Sequence, residues 1–459
     1  MAGSAKSANH LITQPVSKLL RQIAVPATVG FFFNTMYNVV DTYYGGLISA
    51  QAVAALSITF PVFFVIQACA SGIATGATAL IANAYGRKNH NRAQLYLYQA
   101  ISFAVIFAIL LTILSYLASP WLFELLGAQD QYLQMAIQYM NIISFGIVIS
   151  LLNYTLYSAL RAQGDTKIFR DIFIFSFFLN LILNPWFMFG GLGLPSFGLK
   201  GVAMATVLIQ FINLIILIII INKRKFFTSF SIKHFKPKKI FFLELSRQGL
   251  PAGVNMLTIA SGMFVITYFV SSFGQQAVAA YGIATKVDQL AMMPMIGIYH
   301  ATLILIGQNN GAKKFIRVKK IIKLALKSGL ILSILSGIVI LIFRQSIISL
   351  FTQNQQVILI GAGYLQISAF IYPAYVILYI LTSALQGLKR PYFAANIGMF
   401  RQVIAPLMVF YCLLNYFQAN LKAIWWGILA ITWLAALIAV VYTGKYLVRL
   451  FAQTVKKRE

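Results

Sequence analysis

What most limits the folds open to this chain is a row of apolar stretches, each roughly 20 residues long, that recurs from one end to the other. A helix of that length crosses the ~30 Å hydrocarbon layer of a bilayer. In lipid every backbone N–H and C=O must find its partner inside the protein, and an α-helix meets that demand locally. A β-barrel would show short alternating segments instead. Twelve spans are predicted, at roughly 17–44, 52–85, 94–118, 130–160, 168–189, 198–221, 247–272, 277–309, 321–343, 355–386, 392–415 and 422–448. Composition agrees, since of 459 residues 60% are hydrophobic and only 10% charged, where a soluble domain has about 25% charged. The expected fold class is an all-α membrane protein of twelve transmembrane helices.

The loops give an orientation. Those carrying Arg87–Lys88, Arg161–Lys167, Lys223–Lys239, Lys313–Lys320 and Lys389–Arg390 are basic, as is the tail Lys456–Arg458. The alternate loops are short or carry Glu124, Asp130 or Gln353–Gln356. Cytoplasmic loops hold the excess of Lys and Arg, so both termini are expected in the cytoplasm of a multi-pass cell-membrane protein, in a bacterial inner or plasma membrane. The net charge of +28 is thereby topological, and nucleic-acid binding is not expected. Cys69 and Cys412 fall inside spans and read as small hydrophobes rather than a disulfide or metal framework. The polar segment to Ala24 lacks the apolar core and small-residue cleavage site of a signal peptide.

The chain is also duplicated. PATVG from Pro26 resembles PAGVN from Pro251, Gln51-Ala-Val-Ala-Ala matches Gln276-Ala-Val-Ala-Ala, Gly86 matches Gly311, and Ser158-Ala-Leu matches Ser383-Ala-Leu, all 225 positions apart. Gln163–Gly164 reads against Gln386–Gly387, as if the offset slips by two there. An even number of spans per half returns the chain to the same side, which makes the halves parallel repeats about an axis along the membrane normal. Two pseudo-symmetric six-helix lobes are expected, 1–221 and 247–459, joined by a cytoplasmic linker, 222–246. A central cavity would lie between them, with access alternating as they rock.

Eight acids are present: Asp41, Glu124, Asp130, Asp165, Asp171, Glu244, Asp288 and Glu459. Only Asp41 and Asp288 lie well within spans. A carboxylate there is costly and is read as functional. Asp41 falls on Ile266 in the repeat and Asp288 on Phe63, so the shared scaffold demands neither. Asn34, Tyr37, Asn38 and Asp41 are three or four apart and share a helix face. At 1.5 Å per residue Asp41 lies ~7 Å inward of the turn at Gly45–Gly46. Asn184 is ~9 Å deep and Asn180 ~15 Å in the fifth span, Tyr139 ~14 Å in the fourth and Thr206 ~12 Å in the sixth. All five occupy the outer half of the bilayer, and in lipid each needs a polar partner, most economically one another. Pro185 directly follows Asn184 and can free a helix carbonyl. Burial disfavours the charged form of a carboxylate, so Asp41 could cycle between a neutral protonated state and an ionised one. Asp288 does not share a face with Lys286, and its partners are expected elsewhere, as a structural ion pair or in substrate or ion binding.

Other chemistry is thinly supplied. No Walker motif is present, and no nucleophile–base or metal-ligand constellation stands out. His10, His90 and His234 fall in tails or loops, and His300 is alone in the eighth span. Neither an enzyme nor a cofactor is expected. Aromatic and Met residues such as Tyr37, Tyr139, Met292, Met293 and Met295, where they line a cavity, suit flat apolar cations.

At these residues the chain resembles the multidrug and toxic-compound extrusion (MATE) transporters over essentially its whole length. The resemblance rests on the Pro26 helix ending in Val40–Asp41, Gly86, Ala162-Gln-Gly-Asp165, Asn180…Asn184–Pro185, Ile306-Gly-Gln-Asn-Asn-Gly311 and Leu385-Gln-Gly387. It implies two lobes around a central cavity and export of organic cations and drugs in exchange for H⁺ or Na⁺. The prokaryotic branch with archaeal and DNA-damage-inducible members looks most similar. Carried over residue by residue, that branch's cation site becomes Asp41, Asn180, Asn184, Tyr139 and Thr206, with Pro26 where the first helix bends. Asn184 stands where relatives have a second acid, and the loss of one negative ligand favours proton coupling. Asn255 and the span Leu365–Gln386 lack the acids of another branch's C-terminal site. The expected activity is H⁺-driven export of amphipathic organic cations by a monomer, with substrate near Asn34, Tyr37, Asn38, Asn153 and Asn180. Na⁺ coupling at the same site is the alternative. A lipid-linked sugar flippase is a further one, kept open by Lys286, Arg344 and Arg401 within spans.

Overall fold

The computed structural model describes residues 10–191, 193–224, 226 and 232–455. The tail Lys456–Arg458, with Glu459, and linker positions 225 and 227–231 lie outside the described residues, as does position 192 in the Gly190–Gly193 turn. The described chain is almost wholly helical. In order, the helices are α1 (Val16–Ile48), α2 (Ala50–Gly86), α3 (His90–Leu125), α4 (Asp130–Phe145), α5 (Ile147–Ala162), α6 (Lys167–Phe189) and α7 (Leu199–Lys223). A short 3₁₀ turn, Ile232–Phe235, precedes α8 (Lys239–Ser271), α9 (Gln275–Gly311), α10 (Phe315–Ser349), α11 (Gln355–Ser368) and α12 (Tyr372–Gly387). Last come α13 (Tyr392–Met399), a π-helical turn (Phe400–Ile404), α14 (Ala405–Asn415) and α15 (Leu421–Val455).

Among the described residues ten segments are long and apolar enough to cross a membrane, with α13 to α14 taken as one. The bent pairs α4–α5 (45°) and α11–α12 (52°) supply two more, which gives the expected twelve. Each bent pair is the fourth span of its half, and the breaks correspond: Gly146 caps the start of α5, and Ile371, 225 positions later, that of α12. A Cβ at Gly146 would sit 2.8 Å from Val207 Cγ2, so the close approach of α7 requires glycine there.

The repeat holds at the level of backbone bonds. α2 and α9 start and end 225 apart, and so do α5 and α12. Lys88 (φ 58°) and Lys313 (φ 56°) occupy matching left-handed positions, as do Gly164 (φ 82°) and Lys389 (φ 63°). In each turn that follows α2, α5, α9 and α12 two backbone N–H groups close back onto the helix end: Gly164 N to Arg161 O and Asp165 N to Leu160 O, matched by Lys389 N to Gln386 O and Arg390 N to Leu385 O. The slip of two expected at Gln163–Gly164 is therefore absent. The turn keeps the 225 register, and the like-looking Gln-Gly pairs are not structural equivalents.

The chain divides into two compact units, but not at the lobe boundaries 1–221, 222–246 and 247–459 expected above. One is built on Val29–Gly253, and the other on Leu11–Thr28 with the chain from Val254 onward. Packing explains the difference. Leu11, Val16, Leu19, Leu20 and Ile23 are buried in the same core as Ile304, Ile321 and Ala325 of α9 and α10. Asn309, Lys314 and Arg317 bind the backbone carbonyls of Leu11, Ile12 and Gln14. In the Val29–Gly253 unit, α2 and the start of α8 meet through glycines, where a Cβ on Gly76 would lie 2.7 Å from the Gly249 backbone nitrogen. The linker is anchored in this unit as well. Gln99, fully buried on α3, donates to the carbonyls of His234 (2.6 Å) and Lys236 (2.9 Å) and accepts from Lys238 N (2.8 Å).

Candidate functional site

Three helices of the Val29–Gly253 unit converge on Asp41. α1 carries the acid, α6 carries Asn180 and Asn184 one turn apart, and α7 carries Thr206. Both amides donate to the same carboxylate oxygen: Asn180 Nδ2 to Oδ1 at 2.8 Å and Asn184 Nδ2 to Oδ1 at 2.8 Å. Thr206 Oγ1 reaches the second oxygen, Oδ2, at 3.4 Å. No Lys or Arg pairs with Asp41 among the described residues. One carboxylate oxygen is thus saturated, and the other holds a single long bond.

The local sequence sets this geometry. Pro185 has no N–H to give to the carbonyl four residues back, that of Leu181. Tyr44 Oη on α1 donates to this freed carbonyl at 3.2 Å. α1 is therefore tied to α6 at two successive turns, by Asp41 and by Tyr44. The proline that follows Asn184 also creates the acceptor that holds α1 in register with the two asparagines.

Two further tyrosines border the carboxylate. Tyr139 on α4 is buried and faces Asp41 without hydrogen bonding to it. The Tyr37 hydroxyl is buried beside Asp41, Asn180 and Thr206, yet no well-aligned hydrogen bond engages it. The amide oxygens of Asn180 and Asn184 are likewise buried without partners. With both N–H groups turned to a carboxylate, the carbonyl ends of these amides are left as free acceptors.

The structure brings together Asp41, Asn180, Asn184 and Thr206, with Tyr139 and Tyr37 alongside. Asn38 and Asn153 stay apart from this cluster. The Asn38 amide turns back to the carbonyl of Asn34 on its own helix (2.8 Å), and Asn153 Nδ2 binds the carbonyl of Gln210, bridging α5 to α7. Pro26 sits within α1, which is helical on both sides of it. Tyr44 is the residue that sequence reasoning missed. Its signal was available, because it lies three positions after Asp41 and so shares that face of the helix.

Asp288 on α9 lies in the other unit, and its partners are hydroxyls rather than the cation expected of an ion pair. Ser368 Oγ (2.7 Å) and Tyr372 Oη (2.7 Å) donate to Oδ1, and Tyr364 Oη (2.9 Å) donates to Oδ2. These donors flank the break between α11 and α12, so the carboxylate clasps both ends of a broken span. Lys286 is exposed, and Arg344 is bonded to the carbonyl of Leu341 on its own helix.

Comparison with known proteins gives one answer. The chain is 26% identical over 386 residues to the probable multidrug resistance protein YoeA of Bacillus subtilis, covering 83% of each. It is 27% identical over 405 residues to the FAD transporter of Shewanella oneidensis, covering 88% of this chain and 89% of that one. A crystal structure of MATE in the bent conformation shares its fold, with a TM-score of 0.91 at 21% identity over 99% of this chain and 100% of that chain. The MatE family model matches both halves, at residues 26–186 and 251–412, and the chain belongs to this family of multidrug efflux transporters, which carry molecules across membranes and are not enzymes.

Proposed function

We propose that the chain is a secondary active exporter that moves amphipathic organic cations outward in exchange for inward H⁺, with Asp41 as the coupling carboxylate. The reading is carried by the asymmetry at Asp41, where the two asparagines saturate Oδ1 while Oδ2 has only the long bond from Thr206. Oδ2 is then the oxygen that takes the proton. Protonation removes the charge that strengthens both amide bonds, which weakens the tie between α1 and α6. The Tyr44–Leu181 bond does not depend on that charge, so α1 would swing about it, with its bend at Pro26. Substrate would sit near Asn34, Tyr37, Asn38 and Asn153, and proton and substrate would compete. By linkage each then lowers the affinity of the other by the same factor. Both termini would face the cytoplasm, as the basic loops suggest.

A second reading has an observation of its own. The free amide oxygens of Asn180 and Asn184 and the Tyr37 hydroxyl lie beside a carboxylate, and oxygen-only donor sets of this kind suit hard cations. Na⁺ coupling at the same site follows from it. Of the three basic residues that kept the flippase alternative open, Arg401 lines a pocket, and Lys286 and Arg344 do not line it. Purified protein in liposomes separates the two couplings. A pH gradient at zero Na⁺ should drive uptake of a fluorescent organic cation, and a Na⁺ gradient at fixed pH should not. The opposite pattern would replace H⁺ by Na⁺ as driver.

A further inference from the structure

Arg401 is unlike the other cations of this chain. It lies in the π-helical turn Phe400–Ile404, nine residues from Tyr392 and fourteen from Asn415, or ~14 Å and ~21 Å from the ends of its span at 1.5 Å per residue. An ionisable group at that depth calls for a functional reason, and π turns often re-aim side chains at functional sites. The guanidinium carbon stands 4.8 Å from the centroid of the Tyr375 ring. Cation–π contact supports the charge and leaves the in-plane N–H groups unused. No ion pair or hydrogen bond to protein occupies them among the described residues. The carboxylate of the same unit, Asp288, is already taken up by three hydroxyls.

Arg401 lines a narrow, largely apolar pocket of about 30 Å³, room for one small acid group, with Asn255, Thr258, Tyr375, Thr382 and Gln402 as its polar members. Its walls are fixed at close quarters. A Cβ on Gly398 would fall 2.5 Å from Asn255 Oδ1, and a Cβ on Gly262 would fall 2.5 Å from Gln402 Oε1. A guanidinium presents a planar fork of donors that matches two oxygens of one acid group. We propose that Arg401 and the side-chain amides of Asn255 and Gln402 bind a single anionic group, a carboxylate or a phosphate, borne by an amphipathic molecule that this transporter carries. At mid-span the site is too deep for the headgroup of a bilayer lipid. Such a site would favour acidic and zwitterionic molecules among those the transporter carries. The inference rests on the chain being an exporter, but binding can be measured without transport.

The test uses the full chain in nanodiscs of neutral phosphatidylcholine, with fluorescein as an anionic probe and rhodamine 6G as a cationic one on the same xanthene frame. Binding is followed by fluorescence anisotropy. Fluorescein should bind wild-type protein saturably, and Arg401→Gln should weaken it by about tenfold or more, as expected for a lost charge-assisted hydrogen bond. Arg401→Lys should keep part of the affinity, as a point charge without the fork. Rhodamine 6G should gain affinity in Arg401→Gln. Arg344→Gln should bind fluorescein like wild type. The proposal is overturned if monodisperse wild-type protein shows no saturable fluorescein binding, if Arg401→Gln binds it equally well, or if both dyes weaken together. Displacement of fluorescein by added phosphatidylglycerol would also overturn it, by assigning the pocket to a lipid headgroup. Each of these outcomes leaves the Asp41 coupling test standing.

Discussion

Replacing Asp41 by Asn is the sharpest test of the coupling site, because it removes the charge and little else. The asparagine oxygen can still accept from Asn180 and Asn184, each now at 2.8 Å, and its amide nitrogen faces Thr206 Oγ1, now 3.4 Å from Oδ2. All three contacts survive as neutral ones, so the fold should lose about 1 kcal/mol or less. Transport should change far more. Exchange of one H⁺ for one monovalent cation is electroneutral, so the ~2.3 kcal/mol per 100 mV of membrane potential cancels. Only the pH difference drives it, at ~1.4 kcal/mol per unit, which is about tenfold accumulation. Liposomes loaded at acidic pH and diluted one unit higher should concentrate rhodamine 6G about tenfold with wild-type protein. With Asp41→Asn the ratio should fall to about one, because no group releases a proton on the high-pH side. Elution volume and thermal midpoint would check that the variant is folded. A folded variant that still accumulates dye tenfold under the same gradient would refute the coupling role.

Asn184→Asp would place a second carboxylate where Asn184 Nδ2 now lies 2.8 Å from Asp41, and two such groups cannot both stay ionised without a cation. The variant should bind Na⁺ at least about tenfold more tightly than wild type, at ~1.4 kcal/mol per factor of ten. Thermal stabilisation by NaCl against choline chloride at fixed pH measures this, and equal responses would refute it. Asp288→Asn leaves three hydroxyls facing one amide oxygen and should cost about 2–3 kcal/mol, lowering the thermal midpoint while export persists. Lost export at an unchanged midpoint would instead make Asp288 a coupling group. Gln99→Leu removes three hydrogen bonds to the turn at 234–238, worth about 2–4 kcal/mol locally, and should speed trypsin cleavage at Lys233 and Lys238 by more than about tenfold. An unchanged digestion time course would show that the turn is held by other contacts.

Much of this molecule was legible in its residues. The bilayer forces each segment to satisfy its own backbone, so an apolar run of about twenty residues is a span whatever surrounds it. The repeat was visible for a related reason, since the 225-residue register that aligns Pro26 with Pro251 also places the breaks at Gly146 and Ile371. Asp41 with Asn180, Asn184 and Thr206 was foreseeable because depth follows from counting along a helix. The sequence alone therefore determined the twelve spans, their duplication and the depth of each polar group.

Tertiary packing decided which of those groups meet. Asn38 lies one turn from Asn34 and Asp41, yet its amide returns to its own helix, whereas Tyr37 turns toward the carboxylate. Asp288 found three hydroxyls on a span some eighty residues away, and packing left Arg401 open to a pocket while Arg344 turned back to its own backbone. It also assigned the first half of α1 to the unit built on Val254 onward, against chain order. The reason is rotational. A helix fixes how deep a residue lies through its constant rise, but each residue also turns by about 100°, and only the neighbouring helices select the direction that faces a partner.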